Sequence, residues 1–290
     1  MAEQILKVNG VEICAESFGK PTDPAILLIM GAQTSMLWWE EEFCQRLADA
    51  GRFVIRFDNR DVGRSTTYEV GQPGYTFEDM ADDAVRVLDA YGVQQTHIVG
   101  MSMGGMLAQI IALRHPERVR TITLHASSNF APGLPPVDEK LMEFFSKMGE
   151  INWEDEQEVL EVAVASSKVL IGSKQPFDEA RVRELAQIDI ARSNHYASKN
   201  NHAFVTGGGT YLVRTGEIAV PALVIHGTED PLVPYEHGLN LVNTIPGAGL
   251  LTLEGTGHEL PHGDWDVVIE AILKHTHWLQ PDSKVKNRRG

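Results

Sequence analysis

The stretch His97-Ile98-Val99-Gly100-Met101-Ser102-Met103-Gly104-Gly105 is followed at once by an apolar run over residues 106–113. A short β-prone segment therefore leads through a G-x-S-x-G motif into a helical pattern, which is the structural context that this motif requires. The bare five-residue pattern also arises by chance in glycine-rich turns. Because a strand precedes it and a helix follows it, we interpret the stretch as a nucleophile elbow that presents Ser102 at a strand end.

The two outer glycines of the motif have a steric purpose. A tight strand-to-helix turn can lift the Ser102 hydroxyl clear of the backbone only if Gly100 and Gly104 carry no side chains. The helix that starts there directs unpaired N–H groups and its positive dipole end toward the serine. Negative charge develops at this place when a serine attacks a carbonyl, so the Met103 N–H is the first candidate oxyanion donor.

Composition limits the classes of protein that remain. The chain has 290 residues, 43% of them hydrophobic, which suits one large domain or a domain with an insertion. Its formal charge of −15 disfavours a nucleic-acid or anionic-membrane partner. Two cysteines give no disulfide framework, the first residues lack a signal-peptide pattern, and no apolar run reaches transmembrane length. We therefore expect a cytoplasmic protein with a solvated basic tail at residues 284–289.

Strand and helix patterns alternate along most of the chain. The β-prone runs lie at residues 5–8, 11–17, 25–30, 53–57, 97–101, 119–126, 220–226 and 249–253. The first two are joined by Asn9-Gly10, a pair suited to a type I′ hairpin turn. Helical patterns separate the next ones, for example at residues 77–91 after the capping residue Thr76, and a final helix covers residues 265–277. The alternation predicts an α/β fold, a mostly parallel sheet flanked by helices.

Residues 129–217 interrupt this alternation. The segment opens with prolines and holds three candidate helices, at residues 138–149, 154–170 and 178–192, without a strand between them. We predict a first core part at residues 1–128, a helical cap at residues 129–217 and a second core part at residues 218–290. The alternative is a surface subdomain with no role at the site.

Polar and glycine-rich loops follow several of the strands. Ligands of open α/β sheets lie at the carboxyl ends of the strands, so Gly31-Ala32-Gln33 is placed to line a site. The Ala32 N–H is the candidate second oxyanion donor, and the alternative is a plain strand-to-helix turn. The loop at residues 58–65 carries charges that we expect to brace the loop rather than to do chemistry.

A serine nucleophile needs a base and a group that orients the base. Asp230 lies just beyond one later strand and His258 just beyond the next, so the chain order is Ser, Asp, His, as the hydrolase arrangement requires. Asp230 or His258 alone would be interpreted as an ordinary loop residue. Together with Ser102 they occupy three loop positions in the correct order, which favours a catalytic triad. Among the other histidines, His226 is the most similar to His258 as a candidate base, although it lies on a strand before the Asp230 loop.

The segment His258-Glu259-Leu260-Pro261-His262 also matches the zinc-protease pattern H-E-x-x-H. That pattern needs both histidines on one helix, and Pro261 disfavours a helix at this point. The glycine-rich approach at residues 255–257 offers no helix either. We therefore predict no metal site and no cofactor.

Taken together, the elbow, the loop at residues 58–65, Asp230-Pro231 and Gly257-His258 resemble the α/β-hydrolase fold superfamily over essentially the whole chain. Within it, residues 27–31, 60–67 and 257–261 most resemble the aclacinomycin methylesterase-like carboxylesterases. The resemblance implies Ser102 as nucleophile, His258 as base and Asp230 as its partner, with the Ala32 and Met103 N–H groups as oxyanion hole. Many relatives carry a histidine before the glycine of the oxyanion loop, where this chain has Met30.

Our leading hypothesis is a cofactor-independent carboxylic ester hydrolase that works through an acyl-enzyme on a small hydrophobic or aromatic ester, a methyl ester being one candidate. The candidate substrate-binding residues are Met36, Trp38, Phe130, Phe144 and Trp153. Alternatives on the same triad are a lactonase, a carbon–carbon hydrolase and a cofactor-free perhydrolase or haloperoxidase. A non-catalytic small-molecule receptor and a homo-oligomeric state also stay open.

Overall fold

A computed structural model of the protein describes residues 2–147 and 151–277, and an eight-stranded sheet lies at its centre. The strands are β1 (Gln4–Val8), β2 (Val11–Phe18), β3 (Ala25–Ile29), β4 (Phe53–Phe57), β5 (Thr96–Met101), β6 (Val119–His125), β7 (Ala222–Gly227) and β8 (Gly249–Leu253). Their order across the sheet is β1-β2-β4-β3-β5-β6-β7-β8. The hairpin β1-β2 joins β4 antiparallel, and the strands from β4 to β8 are parallel. The predicted α/β class is confirmed.

Helices cover both faces of the sheet. They are α1 (Glu41–Asp49), α2 (Phe77–Ala90), α3 (Met103–Arg114), α4 (Glu139–Ser146), α5 (Glu156–Leu170), α6 (Glu179–Arg192), α7 (Gly209–Leu212), α8 (Tyr235–Thr244) and α9 (Trp265–His275). Short 3₁₀ helices lie at Met36–Trp38, Pro116–Arg118, Tyr196–Ala203, Thr215–Glu217 and His262–Asp264. Apolar residues of α2, α3 and α8 pack on one face, and those of α1 and α9 pack on the other.

Strand β3 shows why its sequence is apolar throughout. Leu27 and Ile29 face the core under α2 and α3, whereas Ile26 and Leu28 face the core under α1 and α9. Successive side chains of a strand point to opposite faces, so a strand covered by helices on both sides needs an unbroken apolar run. The side chains of Ile26, Leu27, Leu28 and Ile29 accordingly have no exposed surface.

Most helix bounds agree with the sequence patterns, but the short helix α7 and helix α8 were not predicted. Thr76 caps α2 through a capping box with Asp79, as its position suggested. The sequence of α8 contains Gly238, a residue that disfavours a helix interior. The glycine is needed there, since a Cβ atom at Gly238 would lie 2.7 Å from His226 Nδ1. The parallel pair β7-β8 requires a crossover, and α8 supplies it.

The inserted segment lies between β6 and β7. Its helices α5 and α6 share a small apolar cluster of Leu160, Ala163, Val164 and Ala186, whereas Leu212 of α7 packs into the main core. The end of the helix predicted at residues 138–149 and the basic tail at residues 284–289 lie outside the described residues. Among the residues described, we find no helix that is both long and apolar enough to cross a membrane.

Candidate active site

Ser102 lies between β5 and α3 with φ of +53°, in the left-handed region that few non-glycine residues adopt. A Cβ atom at Gly100 would collide with the carbonyl oxygen of Gly104, and one at Gly104 would collide with that of Ile29. The Ser102 N–H donates to the His125 carbonyl at 2.8 Å, and the Ser127 hydroxyl donates to the Ser102 carbonyl at 2.8 Å. The turn has the crowded geometry of a nucleophile elbow.

The segment after β3 runs alongside the elbow. A Cβ atom at Gly31 would lie 3.3 Å from the Cβ of Ser102, so this backbone passes directly beside the candidate nucleophile. Met103 is the first residue of α3, where backbone N–H groups have no partner within the helix. Within the described part of the chain, the Ala32 and Met103 N–H groups donate no hydrogen bond outside regular elements. The oxyanion hole stays a prediction that this arrangement suits.

Asp230 and His258 meet at the same edge of the sheet. His258 Nδ1 lies 2.8 Å from Asp230 Oδ2, and both side chains are buried. Because an ionised carboxylate only accepts hydrogen bonds, Nδ1 carries the proton and Nε2 keeps its lone pair. The other carboxylate oxygen accepts the backbone N–H groups of Leu232 at 2.9 Å and Val233 at 2.7 Å. These bonds hold Asp230 in one orientation.

The electrostatic surroundings keep Asp230 ionised. Burial by itself raises the pKa of this carboxyl group. The hydrogen bond from His258, the charge that His258 carries when it is protonated, and the Val233 N–H together outweigh burial and hold the pKa of Asp230 below its ordinary value. An anionic Asp230 can therefore orient His258 and stabilise the imidazolium that forms when His258 takes up a proton.

Ser102, the candidate nucleophile, has no hydrogen bond to the Asp230–His258 pair in the described part of the chain. Ser102, Asp230 and His258 follow β5, β7 and β8, whose carboxyl ends lie along one edge of the sheet. Between the described atoms of Ser102 and His258 there is no hydrogen bond. Nucleophile and base are commonly farther apart without substrate than in the reacting complex, so the triad stays a prediction with two members in contact.

Two other histidines, His226 and His125, lie buried near the candidate base. His226 Nε2 donates to the Val233 carbonyl at 2.7 Å and lies 3.6 Å from Asp230 Oδ2. His125 is completely enclosed, and neither of its ring nitrogens has a partner in the described part of the chain. Burial lowers the pKa of His125 to about 3 and also lowers the pKa of His226. Both rings are therefore neutral near pH 7 and face the interior.

The insertion contacts the loop that carries His258, which the sequence patterns did not reveal. The His258 N–H donates to the carbonyl of Leu170, the last residue of α5, at 2.8 Å. The Gly172 N–H donates to Glu259 Oε1 at 3.0 Å. A Cβ atom at Gly172 would collide with the Gly255 carbonyl oxygen, so these two backbones are in close contact. The insertion thus supports the loop of the candidate base.

The two histidines of the H-E-x-x-H pattern have different surroundings. His258 is bound to Asp230, whereas the His262 ring lies 3.9 Å from the Trp265 ring, between their centroids, and Nε2 lies 3.5 Å from Glu40. Glu259 accepts the Gly172 N–H and, in the part of the chain that the structure describes, forms no hydrogen bond with either histidine. Over residues 2–147 and 151–277, no group of three or more His, Cys, Asp or Glu side chains is arranged to hold a metal ion.

The five candidate substrate-binding residues have different surroundings. Met36 is fully buried, and Phe144 contacts the neighbouring Phe145 ring with centroids 5.8 Å apart. Trp38 donates from Nε1 to Asp189 Oδ2 at 3.1 Å, and Lys199 Nζ lies 5.8 Å from the Trp153 ring centroid. Phe130 is 61% exposed. The role of these residues in binding stays a prediction.

Phe130 also lines an apolar cavity. The cavity has a volume of about 430 Å³ and is bordered by Phe130, Leu134, Met142, Leu232 and His237, among others. His237 is held in place on the wall, with Nδ1 2.6 Å from the Ser128 hydroxyl and Nε2 2.9 Å from the Pro135 carbonyl. Leu232 belongs to the Asp230 loop, so the cavity borders both that loop and the start of the insertion.

A strained serine elbow and an Asp-His pair at the carboxyl edge of a mostly parallel sheet define the class of this protein. The alpha/beta hydrolase fold family matches residues 24–263, and the chain belongs to that family. The chain is 33% identical to rhodomycin D methylesterase DauP of Streptomyces sp. (strain C5), over 95% of this chain and 98% of the relative. Rhodomycin D methylesterase DnrP of Streptomyces peucetius is 32% identical with the same coverage.

Solved structures agree with this assignment of the fold. An esterase from Rhodococcus sp. ECU1013 superimposes with a TM-score of 0.79 at 21% identity, covering 97% of this chain and 100% of that one. The resemblance inferred from the motifs, to the superfamily and to its methylesterase-like members, is confirmed. The homologues are hydrolases and esterases, and they support an ester hydrolase activity for this chain.

Proposed function

We propose that the protein is a serine carboxylic ester hydrolase that forms an acyl-enzyme on a hydrophobic or aromatic ester. The observation that carries the proposal is the buried pair of Asp230 and His258, whose hydrogen bond leaves His258 Nε2 free at the edge where Ser102 lies. The two similar rhodomycin D methylesterases support a methyl ester as the substrate group. The proposed reaction needs no cofactor.

The chemistry proceeds in two steps. His258 Nε2 removes the proton of the Ser102 hydroxyl as its oxygen attacks the ester carbonyl, and Asp230 stabilises the resulting imidazolium. The Met103 and Ala32 N–H groups donate to the oxyanion, and one such donor typically contributes about 10²- to 10³-fold in kcat. Imidazolium then protonates the departing alcohol. Water, deprotonated by the same nitrogen, hydrolyses the acyl-enzyme and releases the acid and the free serine.

Turnover of a panel of esters tests this function. We expect the wild type to hydrolyse p-nitrophenyl acetate and aromatic methyl esters, and Ser102→Ala to lower kcat by about 10³-fold or more at unchanged circular dichroism. His258→Ala should cost about as much, and Asp230→Asn somewhat less, because its part is orientation and charge support. Ser146→Ala, which removes an exposed hydroxyl, is the matched control.

Several outcomes would contradict the proposal. Ester turnover that survives in Ser102→Ala would remove the nucleophile from the mechanism. A serine-directed fluorophosphonate should label the wild type stoichiometrically and fail on Ser102→Ala. Binding of esters with neither turnover nor labelling would indicate a receptor instead. Faster reaction with lactones or β-diketones than with any open-chain ester would move the activity to another reaction of the same triad.

A further inference from the structure

His202 links the inserted segment to the candidate oxyanion loop. It lies on the 3₁₀ helix Tyr196–Ala203 and is 5% exposed. Its Nδ1 lies 2.8 Å from the backbone nitrogen of Gln33, and its Nε2 lies 2.8 Å from the carbonyl oxygen of Arg60. One buried ring thus contacts two backbone groups of the core that belong to different loops.

The two contacts determine which nitrogen carries the proton. A carbonyl oxygen only accepts hydrogen bonds, so Nε2 is protonated and donates to Arg60. Nδ1 is then unprotonated and accepts the Gln33 N–H. Burial lowers the pKa of His202 to about 4, which keeps the ring neutral near pH 7 and preserves one donor and one acceptor. The ring therefore suits both of its partners.

Arg60, whose carbonyl oxygen accepts from His202, forms a buried ion pair. Arg60 forms two hydrogen bonds with Asp83, at 2.6 Å and 2.9 Å, and both side chains are buried. A bidentate pair between a guanidinium and a carboxylate has a defined geometry. The carbonyl oxygen that accepts from His202 therefore belongs to a residue whose side chain is held by a buried ion pair.

Gln33 adopts a conformation that needs such support. Its φ is +63°, in the left-handed region that non-glycine residues populate only when surrounding contacts hold them there. Two residues earlier, Gly31 lies against Ser102. The backbone from Gly31 to Gln33 is therefore fixed at one end by the nucleophile elbow and at the other by His202, with the N–H of Ala32 between them.

We propose that His202 is a positioning residue, which holds the oxyanion loop at residues 31–33 through the Gln33 N–H so that the Ala32 N–H faces the reacting carbonyl. This inference rests on the proposed ester hydrolase function. Because the Gln33 N–H is occupied by His202, it is not available to the substrate. A loop with a displaced Ala32 N–H loses stabilisation of the transition state and not of the bound ester, so the effect falls on kcat.

Two substitutions separate the contacts of His202. His202→Asn keeps an acceptor near the place of Nδ1 and loses the donor to Arg60, whereas His202→Gln keeps a donor near the place of Nε2 and loses the acceptor for Gln33. We expect the Gln variant to lose about 30-fold or more in kcat with KM changed by less than about threefold. The Asn variant should keep kcat within about fivefold. His195→Gln, an exposed histidine at the start of the same helix, is the control.

A transition-state analogue provides the second measurement. An aryl trifluoromethyl ketone forms a tetrahedral oxyanion on the serine, so its inhibition constant should rise in the Gln variant by about the factor that kcat/KM falls. The concentration of active sites is determined by titration with a fluorophosphonate. The inhibition constant and kcat/KM are measured at 10 °C, so that a less stable variant is still assayed in its folded state. Equal kcat in the Asn and Gln variants, or losses that follow Tm alone, would overturn the positioning role.

The wild type and Ser102→Ala are measured beside these variants. Absence of ester turnover in the wild type would overturn the proposed function, and with it this inference. Turnover that depends on Ser102 but is unchanged in His202→Gln would overturn this inference alone.

Discussion

Lys199 is a buried cation in the inserted segment. Its Nζ donates to the Tyr196 hydroxyl at 2.9 Å and lies 4.0 Å from the Tyr196 ring centroid, with Trp153 on another side. Burial lowers the pKa of Lys199 to about 8, while the charge of Asp189 acts in the opposite direction. Ring and hydroxyl contacts replace only part of the hydration that the ammonium loses. The folded state therefore carries a cost for this charge.

The lowered pKa of Lys199 predicts how stability changes with pH. Below pH 8 both folded and unfolded chains hold the proton, and between pH 8 and 10.5 the unfolded chain holds more of it, so stability rises with pH in that window. Lys199→Met removes the charge and keeps the length of the side chain. We expect its free energy of unfolding at pH 7 to exceed that of the wild type by about 1–3 kcal/mol, narrowing toward pH 10.5.

Urea denaturation at pH 7 and pH 10 measures this difference. Lys140→Met, which removes an exposed lysine of α4, should leave stability nearly unchanged. A destabilised Lys199→Met variant would show that the ammonium contributes more through its contacts than it loses through burial. In that case the buried charge of Lys199 has no net cost to the folded state.

At the scale of elements, the turn after α5 connects two loops of the candidate site. Ser173 donates from its backbone N–H and its hydroxyl to the two carboxylate oxygens of Glu229, both at 2.7 Å, next to Asp230. The Lys174 N–H donates to the Gly255 carbonyl at 2.9 Å, in the loop before His258. The end of α5 is thus bound to the loops of both the candidate base and its carboxylate partner.

Gly172→Ala tests this connection. The added Cβ would collide with the Gly255 carbonyl and lie 2.6 Å from the Gly257 nitrogen, so the turn and the His258 loop must separate. We expect kcat to fall by about tenfold or more, because a displacement of about 1 Å in a catalytic group can cost about 10²-fold. Gly209→Ala, where a Cβ would meet no atom within 4 Å, is the matched control. Equal activity of the two variants would contradict the connection.

These contacts mark where prediction from the sequence ends. The elbow could be predicted because its glycines, strand and helix are neighbours in the chain, and the Asp230 and His258 loops because both follow strands. The contact of His202 with Gln33 spans 169 residues, and the partner of His258 N–H is a backbone carbonyl. A main-chain group has no side-chain signature, and hydrophobic periodicity describes a segment rather than its distant partner. Such contacts become visible only in the folded chain.

At the scale of the whole molecule, several buried histidines make stability depend on pH. Burial lowers the pKa of His97 to about 4, of His125 to about 3 and of His202 to about 4. An unfolded histidine binds its proton below about pH 6.5. Between pH 6.5 and these values, the unfolded chain holds protons that the folded chain does not. The stability that these neutral rings provide is complete above pH 6.5 and decreases as the pH falls.

His97 allows this pH dependence of stability to be tested at a histidine outside the candidate site. It lies on β5 with Nδ1 2.9 Å from the Thr121 hydroxyl, and the charges of Arg120 and Arg52 add to the effect of burial. His97→Gln cannot titrate, so its unfolding free energy should fall less steeply between pH 6.5 and 4 than that of the wild type. The slopes should differ by up to about 1.4 kcal/mol per pH unit, and by nothing above pH 7.

Urea denaturation at half-unit steps from pH 4 to pH 8 gives both curves. The variant can be less stable throughout, because it alters a buried hydrogen bond, so the slope and not the offset is the decisive quantity. His195→Gln, at an exposed position, should give a curve parallel to the wild type. If His97→Gln is also parallel to the wild type, His97 is protonated in the folded chain at the same pH as in the unfolded one, and its burial has no electrostatic cost.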